Sequence, residues 1–212
     1  MAAPRTIIYI DGFNLYYGAL KGTPHKWLNL QKYFQMLRPA DDIRSIKYFT
    51  AMVSGPTRKN QEAYLKALGT LPLVEVVLGK FKSKRYQCRL TLCTHSGDRF
   101  FDGVEEKRTD VNIAVSMVDD AYQNACDQLI LVSGDSDLVP GIAMIRTRFP
   151  NKKILVYVPH IPAPTSTRGF AVELRNAAHV NRDLPLNFLK HAQFPVQIPD
   201  SVGNAIHKPA TW

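Results

Sequence analysis

"RTIIYIDGFNLYYGA", residues Arg5–Ala19, joins a hydrophobic segment to a group of polar and aromatic residues. Every residue of Thr6–Ile10 is β-branched or aromatic, which is typical of a strand buried in a core. Asp11 and Gly12 follow at once and would suit a turn. Because a turn does not explain the carboxamide of Asn14 or the aromatic residues after it, this strand end is also a candidate site.

Four further strand-like segments alternate with helix-like segments along the chain. The predicted strands are Ile43–Val53, Leu73–Phe81, Gln128–Val132 and Lys153–Val158, and the predicted helices are Asn29–Leu37, Thr57–Leu68, Asp110–Ala125, Leu138–Phe149 and Arg168–Ala178. This alternation predicts an α/β fold with helices on both faces of a parallel sheet. Right-handed crossovers favour Thr6–Ile10 beside Gln128–Val132, where the winding reverses. Ligands of such folds bind there, at the carboxyl ends of the strands.

Two local predictions concern the helices. The segment Asp110–Ala125 has an apolar stripe that we expect to face the core. The stripe consists of Val111, Ala114, Val115, Val118, Ala121, Tyr122 and Ala125. Thr57 stands where the N-cap of the helix after it is expected.

Composition favours a globular protein with an anionic partner. The 212 residues are enough for one domain with a sizeable core. A net charge of +9 favours nucleic acid, although a basic surface can also serve solubility alone. Three cysteines argue against a disulfide framework. No segment reaches the ~18 apolar residues of a membrane span, and the N-terminal apolar stretch is too short for a signal peptide, so we expect a cytoplasmic protein.

Two segments lie outside the strand–helix alternation. We predict one domain over residues 1–182, with a basic insertion at about 80–103, followed by a tail over residues 183–212. The tail contains Pro185, Pro195, Pro199 and Pro209. It is expected to be an extended wrap or a mobile end.

Acidic side chains follow the predicted strands at the edge where a ligand would bind. The fourth strand runs into "LVSGDSDLVP", residues Leu131–Pro140, so that Asp135 and Asp137 come directly after it. Close carboxylates repel one another unless a cation neutralises them, and hard oxygen ligands select Mg²⁺ or Mn²⁺. The predicted metal site consists of Asp11, Asp110, Asp135 and Asp137.

Each of these residues also has a structural alternative. Asp110, Asp135 and Asp137 could cap helices or interact with their dipoles, and Asp11 could belong to a turn. The coincidence of all four at one crevice favours the metal site. Asn14 would then hold metal-bound water or a substrate phosphate.

Three segments resemble the motifs of NYN domains, which are members of the PIN-like nuclease superfamily. They are "YIDGFNLYYG", "EEKRTDVNIAV" and "LVSGDSDLVPGI", and the resemblance runs from about residue 5 to about residue 180. It implies a three-layer α/β/α sandwich and metal-dependent ribonuclease chemistry. The family's acidic positions fall on Asp11, Asp110, Asp135 and Asp137, and its polar position falls on Asn14. Asp11 and Asp135 are the first candidates for direct ligands.

The predicted function is hydrolysis of RNA phosphodiester bonds with Mg²⁺ or Mn²⁺ at the aspartates. Two alternatives stay open. One is an NYN module that binds RNA without cleaving it. The other is an NADH-dependent hydroxylase of a hydroxy-succinoylpyridine, a role given to some similar chains, although the sequence has no G-x-G-x-x-G fingerprint for a dinucleotide. A homodimer is a further prediction.

Basic and aromatic residues outside the acidic site are candidates for RNA contacts. Basic side chains interleaved with aromatic ones can hold a phosphate backbone and stack bases, whereas a solvated hairpin, core packing or surface ion pairs would also explain them. The predicted RNA-binding residues are Lys82, Lys84, Arg85, Arg89, Tyr16 and Lys107. Cys88, Cys93 and His95 lie close together in the sequence, but a zinc site would need a fourth ligand.

Overall fold

A six-stranded sheet organises the chain in the computed structural model, which describes residues 2–160 and 172–212. The strands of the described residues are β1 Arg5–Asp11, β2 Asp42–Thr50, β3 Val74–Leu78, β4 Lys80–Gln87, β5 Phe100–Lys107, β6 Gln128–Val132, β7 Lys153–Val158, β8 Val180–Asp183, β9 Gln197–Pro199 and β10 Ala205–His207. The main sheet has the order β3-β2-β1-β6-β7-β8, and its neighbouring strands are parallel. The predicted pairing of the first strand with Gln128–Val132 is confirmed.

Helices cover both faces of this sheet. They are α1 Gly12–Leu15, α2 Leu30–Leu37, α3 Arg58–Leu68, α4 Thr109–Tyr122, α5 Val139–Arg148 and α6 Val172–Ala177, together with a π-helical turn at Tyr16–Leu20 and 3₁₀ turns at Ser136–Leu138 and Leu186–His191. One core contains residues of α2 and α3, and the other contains residues of α4, α5 and α6. The predicted three-layer α/β/α fold with a mostly parallel sheet is therefore confirmed.

Strand β1 shows why the sheet is buried on both sides. Successive side chains of a strand point to opposite faces. Ile8 and Ile10 accordingly lie in the core under α2 and α3, while Ile7 and Tyr9 lie in the core under α4 and α5. A strand that is apolar at every position satisfies both layers at once.

Strands β4 and β5 form a separate antiparallel hairpin between β3 and α4. The single predicted strand Leu73–Phe81 is divided into β3 and the start of β4 at Gly79. A side chain at Gly79 would meet the Thr109 hydroxyl oxygen at 2.7 Å, so only glycine lets the chain pass the start of α4. The hairpin ends at Arg108, whose φ of 81° lies in the left-handed region.

The predicted core-facing stripe of α4 is confirmed only in part. Ala121 is buried in the core, and Ala114, Val118 and Ala125 pack against it. Val111, Val115 and Tyr122 are instead exposed, while Ile113 and Met117, which the stripe left out, are buried. Since apolar residues surround much of this helix, the pattern alone does not select the buried side. The structure selects the side with the larger Ile and Met side chains.

Two other helix predictions differ from the structure. Thr57 occupies the N-cap position of α3, but its side chain makes no capping hydrogen bond. The predicted helix Arg168–Ala178 corresponds to α6 over the described residues, and its part before Val172 lies outside them.

The C-terminal segment wraps against the core under α2 and α3. Leu189, Phe194 and Ile206 are buried there. The ring of Trp212 lies 6.3 Å from that of Trp27. Within the described ranges, no helix combines the length and the apolar character that crossing a lipid bilayer requires.

Candidate metal site and nucleic-acid interface

Neighbouring ends of β1 and β6 bring the predicted acidic residues to one edge of the sheet. Asp11 is the last residue of β1. Asp135 follows β6 and caps the 3₁₀ turn after it, because its side chain accepts a hydrogen bond of 3.0 Å from the Asp137 backbone N–H. Asp110 lies in the first turn of α4. The parallel order of the strands therefore places residues from three distant parts of the sequence together.

Asp110, Asp135 and Asp137 each have a carboxylate oxygen close to those of the other two. These three oxygens lie within 4.8 Å of one another. Burial, followed by the charges of Asp11, Asp135 and Asp137, raises the pKa of Asp110 to about 6. Three hard oxygen donors fit Mg²⁺ or Mn²⁺, and a divalent cation would neutralise the repulsion that raises this pKa. We call these three residues the carboxylate cluster.

Asp11 lies behind the cluster and not within it. Its carboxylate is buried and accepts hydrogen bonds from the Asn14 backbone N–H at 3.0 Å, from the Asn14 side-chain amide and from the Ser133 hydroxyl at 3.1 Å. Burial nevertheless raises the pKa of Asp11 despite these donors, with Asp135 adding to the effect. We expected Asp11 to be a direct metal ligand. In the structure its carboxylate already accepts three hydrogen bonds from protein groups.

Asn14 ties the end of β1 to the loop after β6. Its amide oxygen accepts a hydrogen bond of 3.2 Å from the Gly134 backbone N–H, while its amide nitrogen donates to Asp11. We expected Asn14 to hold metal-bound water or phosphate. In the structure its side chain is engaged with the protein and positions Asp11 against the loop that carries Asp135.

Two residues at this edge were not among the predicted site residues. The Ser133 hydroxyl donates to Asp11 and accepts from the Asp135 backbone N–H at 3.1 Å, so that it links the two aspartates. Glu106 is half-buried, and burial, then the charges of Asp11 and Asp110, raises its pKa. The Thr109 hydroxyl donates to it. Glu106 was missed because only the hairpin register, which places Glu106 opposite Phe81, fixes which face of β5 it occupies.

The hairpin separates its predicted RNA-binding residues onto two faces. Cross-strand pairing places Lys82 and Lys84 on one face, opposite Glu105 and Gly103. Arg85 lies on the other face, where it pairs with Asp98 at 2.8 Å.

Two of these basic side chains share an acidic partner. Lys107 pairs with Glu105 at 2.6 Å, and Lys84 reaches the same carboxylate at 3.4 Å. Lys82 has no ion pair with any described residue, and Arg89 is exposed beyond the end of β4. Lys82 and Arg89, which also has no ion pair with a described residue, are therefore the members of the set whose charges are most available to a phosphate.

Tyr16 and the cysteine group have different surroundings. Tyr16 is half-buried in the π-helical turn, with its ring 5.2 Å from that of Tyr17. Cys88 and Cys93 are free thiols. Over residues 2–160 and 172–212, the carboxylate cluster alone gathers three ligand-type side chains, so these cysteines and His95 form no such group.

The fold and the site define a class of protein: a three-layer α/β/α domain with acidic side chains gathered at the carboxyl edge of its sheet. The family model named NYN domain matches residues 5–185. The chain belongs to the NYN domain family, which is a family of PIN-like nucleases.

Two known proteins show the extent of the similarity. The 6-hydroxy-3-succinoylpyridine 3-monooxygenase HspA of Pseudomonas putida is 29% identical over an alignment 240 residues long, gaps included. The alignment covers 98% of this chain and 75% of that protein. A crystal structure of a protein of unknown function from Vibrio parahaemolyticus has a TM-score of 0.53 and 23% identity, covering 86% of this chain and 94% of that one. The second similarity shows a shared fold.

Proposed function

We propose that this protein is a metal-dependent ribonuclease that hydrolyses RNA phosphodiester bonds at the carboxylate cluster. The observation that carries the proposal is the convergence of Asp110, Asp135 and Asp137 within 4.8 Å. Membership of a nuclease family supports it. The unpaired charge of Lys82 on the hairpin of β4 and β5 would supply a contact for an RNA backbone.

The residues of the site have distinct roles in this proposal. Asp110, Asp135 and Asp137 would hold Mg²⁺ or Mn²⁺, which activates water and neutralises charge on the phosphate when bound. Asp11 and Asn14 hold the two strand ends in register through their hydrogen bonds. Such support keeps ligand side chains oriented.

Glu106 is the candidate proton acceptor. It lies close enough to Asp11 and Asp110 for their charges to raise its pKa, and it belongs to the hairpin that carries the basic residues. A carboxylate with a raised pKa suits proton transfer closer to neutral pH. Glu106 would therefore take a proton from the attacking water.

A cleavage assay with a labelled single-stranded RNA tests the proposal. We expect cleavage with Mn²⁺, none with EDTA, and a loss of cleavage in Asp110→Asn that leaves RNA retention intact. Retention of RNA without cleavage under any metal condition would instead identify the non-cleaving RNA-binding module. Cleavage that persists in EDTA would contradict the metal requirement.

A second candidate function follows from the relative that is named a monooxygenase. Its similarity extends over 98% of this chain, so an NADH-dependent hydroxylase of a hydroxy-succinoylpyridine is proposed as the alternative. Oxidation of NADH that depends on 6-hydroxy-3-succinoylpyridine would establish it, and the absence of such oxidation alongside RNA cleavage would remove it. A homodimer and a cytoplasmic location stay predictions.

A further inference from the structure

A pocket with aromatic walls lies at the end of β1. It has a volume of about 200 Å³, and its lining includes Gly12, the residue directly after Asp11. Tyr16, Tyr17, Tyr48 and Trp212 supply aromatic rings to the lining. We call this space the aromatic pocket.

The backbone around Gly12 shapes one wall of the aromatic pocket. A Cβ atom at Gly12 would lie 2.7 Å from the Tyr48 hydroxyl oxygen and 2.8 Å from the Phe49 carbonyl oxygen. Glycine therefore allows the Tyr48 side chain to lie directly against the start of α1. The Tyr48 ring packs edge-on against Tyr64 with centroids 6.1 Å apart, and Trp212 packs against Tyr64 at 5.4 Å. These contacts fix the wall.

The Tyr48 hydroxyl has no hydrogen-bond partner among the described residues. Only 7% of Tyr48 is exposed, but its hydroxyl oxygen is not a buried atom, so it is accessible from the aromatic pocket that Tyr48 lines. Other buried tyrosines differ, since Tyr64 donates to the Leu28 carbonyl at 2.9 Å and Tyr33 to the Pro185 carbonyl at 2.7 Å. A polar atom of a ligand in the pocket would give the Tyr48 hydroxyl a partner.

Two lysines add positive charge to the lining of the aromatic pocket. The Lys21 ammonium lies 4.9 Å from the centroid of the Tyr17 ring, and Lys26 donates to the Thr211 carbonyl at 3.3 Å. Neither forms an ion pair with a described residue. The pocket therefore combines ring faces for stacking, one free hydroxyl and two cations, which are the contacts that a heteroaromatic ring with an attached anion requires.

We propose that the aromatic pocket binds one base of the RNA, namely that of the nucleotide next to the phosphodiester held at the carboxylate cluster. This inference rests on the proposed function. An apolar cavity of about 150 Å³ holds benzene, so the observed volume suits one planar ring system. Stacking on aromatic side chains accepts every base. The Tyr48 hydroxyl reads the polar edge of the base and thereby gives the enzyme a base preference.

Binding of the four nucleoside 5′-monophosphates to the full chain, measured by calorimetry in EDTA, tests the aromatic pocket without metal. Tyr48→Phe removes only a hydroxyl without a protein partner, so its fold should be retained. We expect it to bind the preferred nucleotide about tenfold more weakly and to reduce the difference between bases. Tyr17→Ala should weaken all four by a similar factor. Tyr122→Phe, on the exposed side of α4, is the matched control and should change neither.

Cleavage of RNAs that differ in one base next to the cut bond separates this inference from the proposed function. Mn²⁺-dependent cleavage with a base preference that Tyr48→Phe flattens supports both. Cleavage with the same preference and the same nucleotide affinities in Tyr48→Phe and Tyr17→Ala overturns the base site and leaves the nuclease. Nucleotide binding that depends on Tyr48 and Tyr17 without any cleavage supports a base site in a binding module and overturns the nuclease. Binding of 6-hydroxy-3-succinoylpyridine, but of no nucleotide, overturns the RNA assignment of the pocket.

Discussion

The two edges of the main sheet treat carboxylates in opposite ways. At the amino edge, Asp41 and Asp127 precede β2 and β6, and each has an arginine partner: Arg38 lies 2.8 Å from Asp41, and Arg5 lies 2.7 Å from Asp127. At the carboxyl edge, none of the four aspartates predicted as metal ligands forms an ion pair with a described residue. Similar side chains at the two ends of the same strands therefore have different electrostatic surroundings.

The pKa values express this difference. Hydrogen bonds from Arg5 lower the pKa of Asp127 to about 2, whereas burial and neighbouring carboxylates raise that of Asp110 to about 6. A carboxylate with a lowered pKa stabilises the fold, and one with a raised pKa destabilises it when ionised. The amino edge is therefore arranged for stability, while the carboxyl edge keeps uncompensated negative charge.

The largest expected effect is on catalysis. The test compares the cleavage rates of variants at two aspartates that lie on either side of β6. Asp135→Asn should reduce Mn²⁺-dependent RNA cleavage at least about 100-fold, or ~2.7 kcal/mol of transition-state stabilisation, because one charged ligand is lost. Asp127→Asn is the matched control and should cleave at the wild-type rate. Single-turnover rates of both variants on one labelled RNA measure the difference.

An equal loss of rate in both variants would break the comparison, because it would show that charge at either edge serves the fold. RNA retention by Asp135→Asn should persist, and could increase, since a carboxylate near a phosphate repels it.

The second expected effect concerns the metal-free protein. The pKa of Asp110 is raised in the folded state, so its protonation stabilises the fold. Stability from this group is greatest below about pH 4, falls as the pH rises through 6, and is constant above that. After allowance for its partial exposure, the loss should be on the order of 1 kcal/mol. Melting temperatures in EDTA at pH 5 and pH 7.5 measure it.

Asp110→Asn removes the titrating group and should reduce this pH difference in melting temperature. Mn²⁺ at pH 7.5 should raise the melting temperature of the wild type more than that of the variant, since ligand binding stabilises the folded state. If the difference in melting temperature between the two pH values is the same in both proteins, groups other than Asp110 cause it.

The third expected effect concerns Asp127 at the amino edge, where the dependence of stability on pH has the opposite sign. Asp127 contributes stability above about pH 4, and this contribution is lost as the pH falls towards 2. Because both partners are partly exposed, Asp127→Asn should cost about 1 kcal/mol at pH 7, or roughly 2–4 °C in melting temperature. The difference from wild type should shrink at pH 3; a constant difference would exclude the charge as its cause.

The smallest expected effect extends the comparison to cations. Lys82 is unpaired, whereas Arg85 pairs with Asp98. Lys82→Ala should lower the slope of log affinity for single-stranded RNA against log salt by about 0.7, the value for one phosphate contact. Arg85→Ala should change it less, because that charge already has a partner. Filter binding at several salt concentrations compares the two variants. A larger change in slope for Arg85→Ala would contradict the expectation that an unpaired cation contacts phosphate more than a paired one.

The sequence predicted those parts of the fold that depend on local pattern. In segments such as Thr6–Ile10, where every residue is β-branched or aromatic, the composition alone predicts a buried strand. Residues directly after neighbouring parallel strands must lie at the same edge of the sheet. The position of Asp135 and Asp137 beside Asp11 followed from that rule, which needs only the order of the strands. Asp110 lies in the first turn of α4 and not directly after a parallel strand, so its prediction rested on the expected helix start and on the family motif.

Features that depend on how separate segments meet were not predictable from the sequence. Asn14 was predicted to hold metal-bound water or a substrate phosphate, and nothing in its neighbourhood along the chain shows that Gly134 donates to it across the sheet edge. Glu106 could not be distinguished from Glu105, because which of two adjacent strand residues faces the site depends on the register of the hairpin. The buried side of α4 was predicted only in part for a related reason, since its apolar residues extend around the helix.

The hairpin of β4 and β5 is joined to the rest of the molecule in a way that makes it an exchangeable part. Its two strands pair only with each other. The first pair of the hairpin is Lys80 opposite Lys107, and Gly79 and Arg108 lie directly outside that pair. Insertions, deletions or a different hairpin between those turns would leave the six-stranded sheet unaltered. Evolution can therefore alter the part of the hairpin beyond the Phe81–Glu106 pair while the acidic residues at the carboxyl edge of the sheet stay in place, and protein engineers can do the same by grafting.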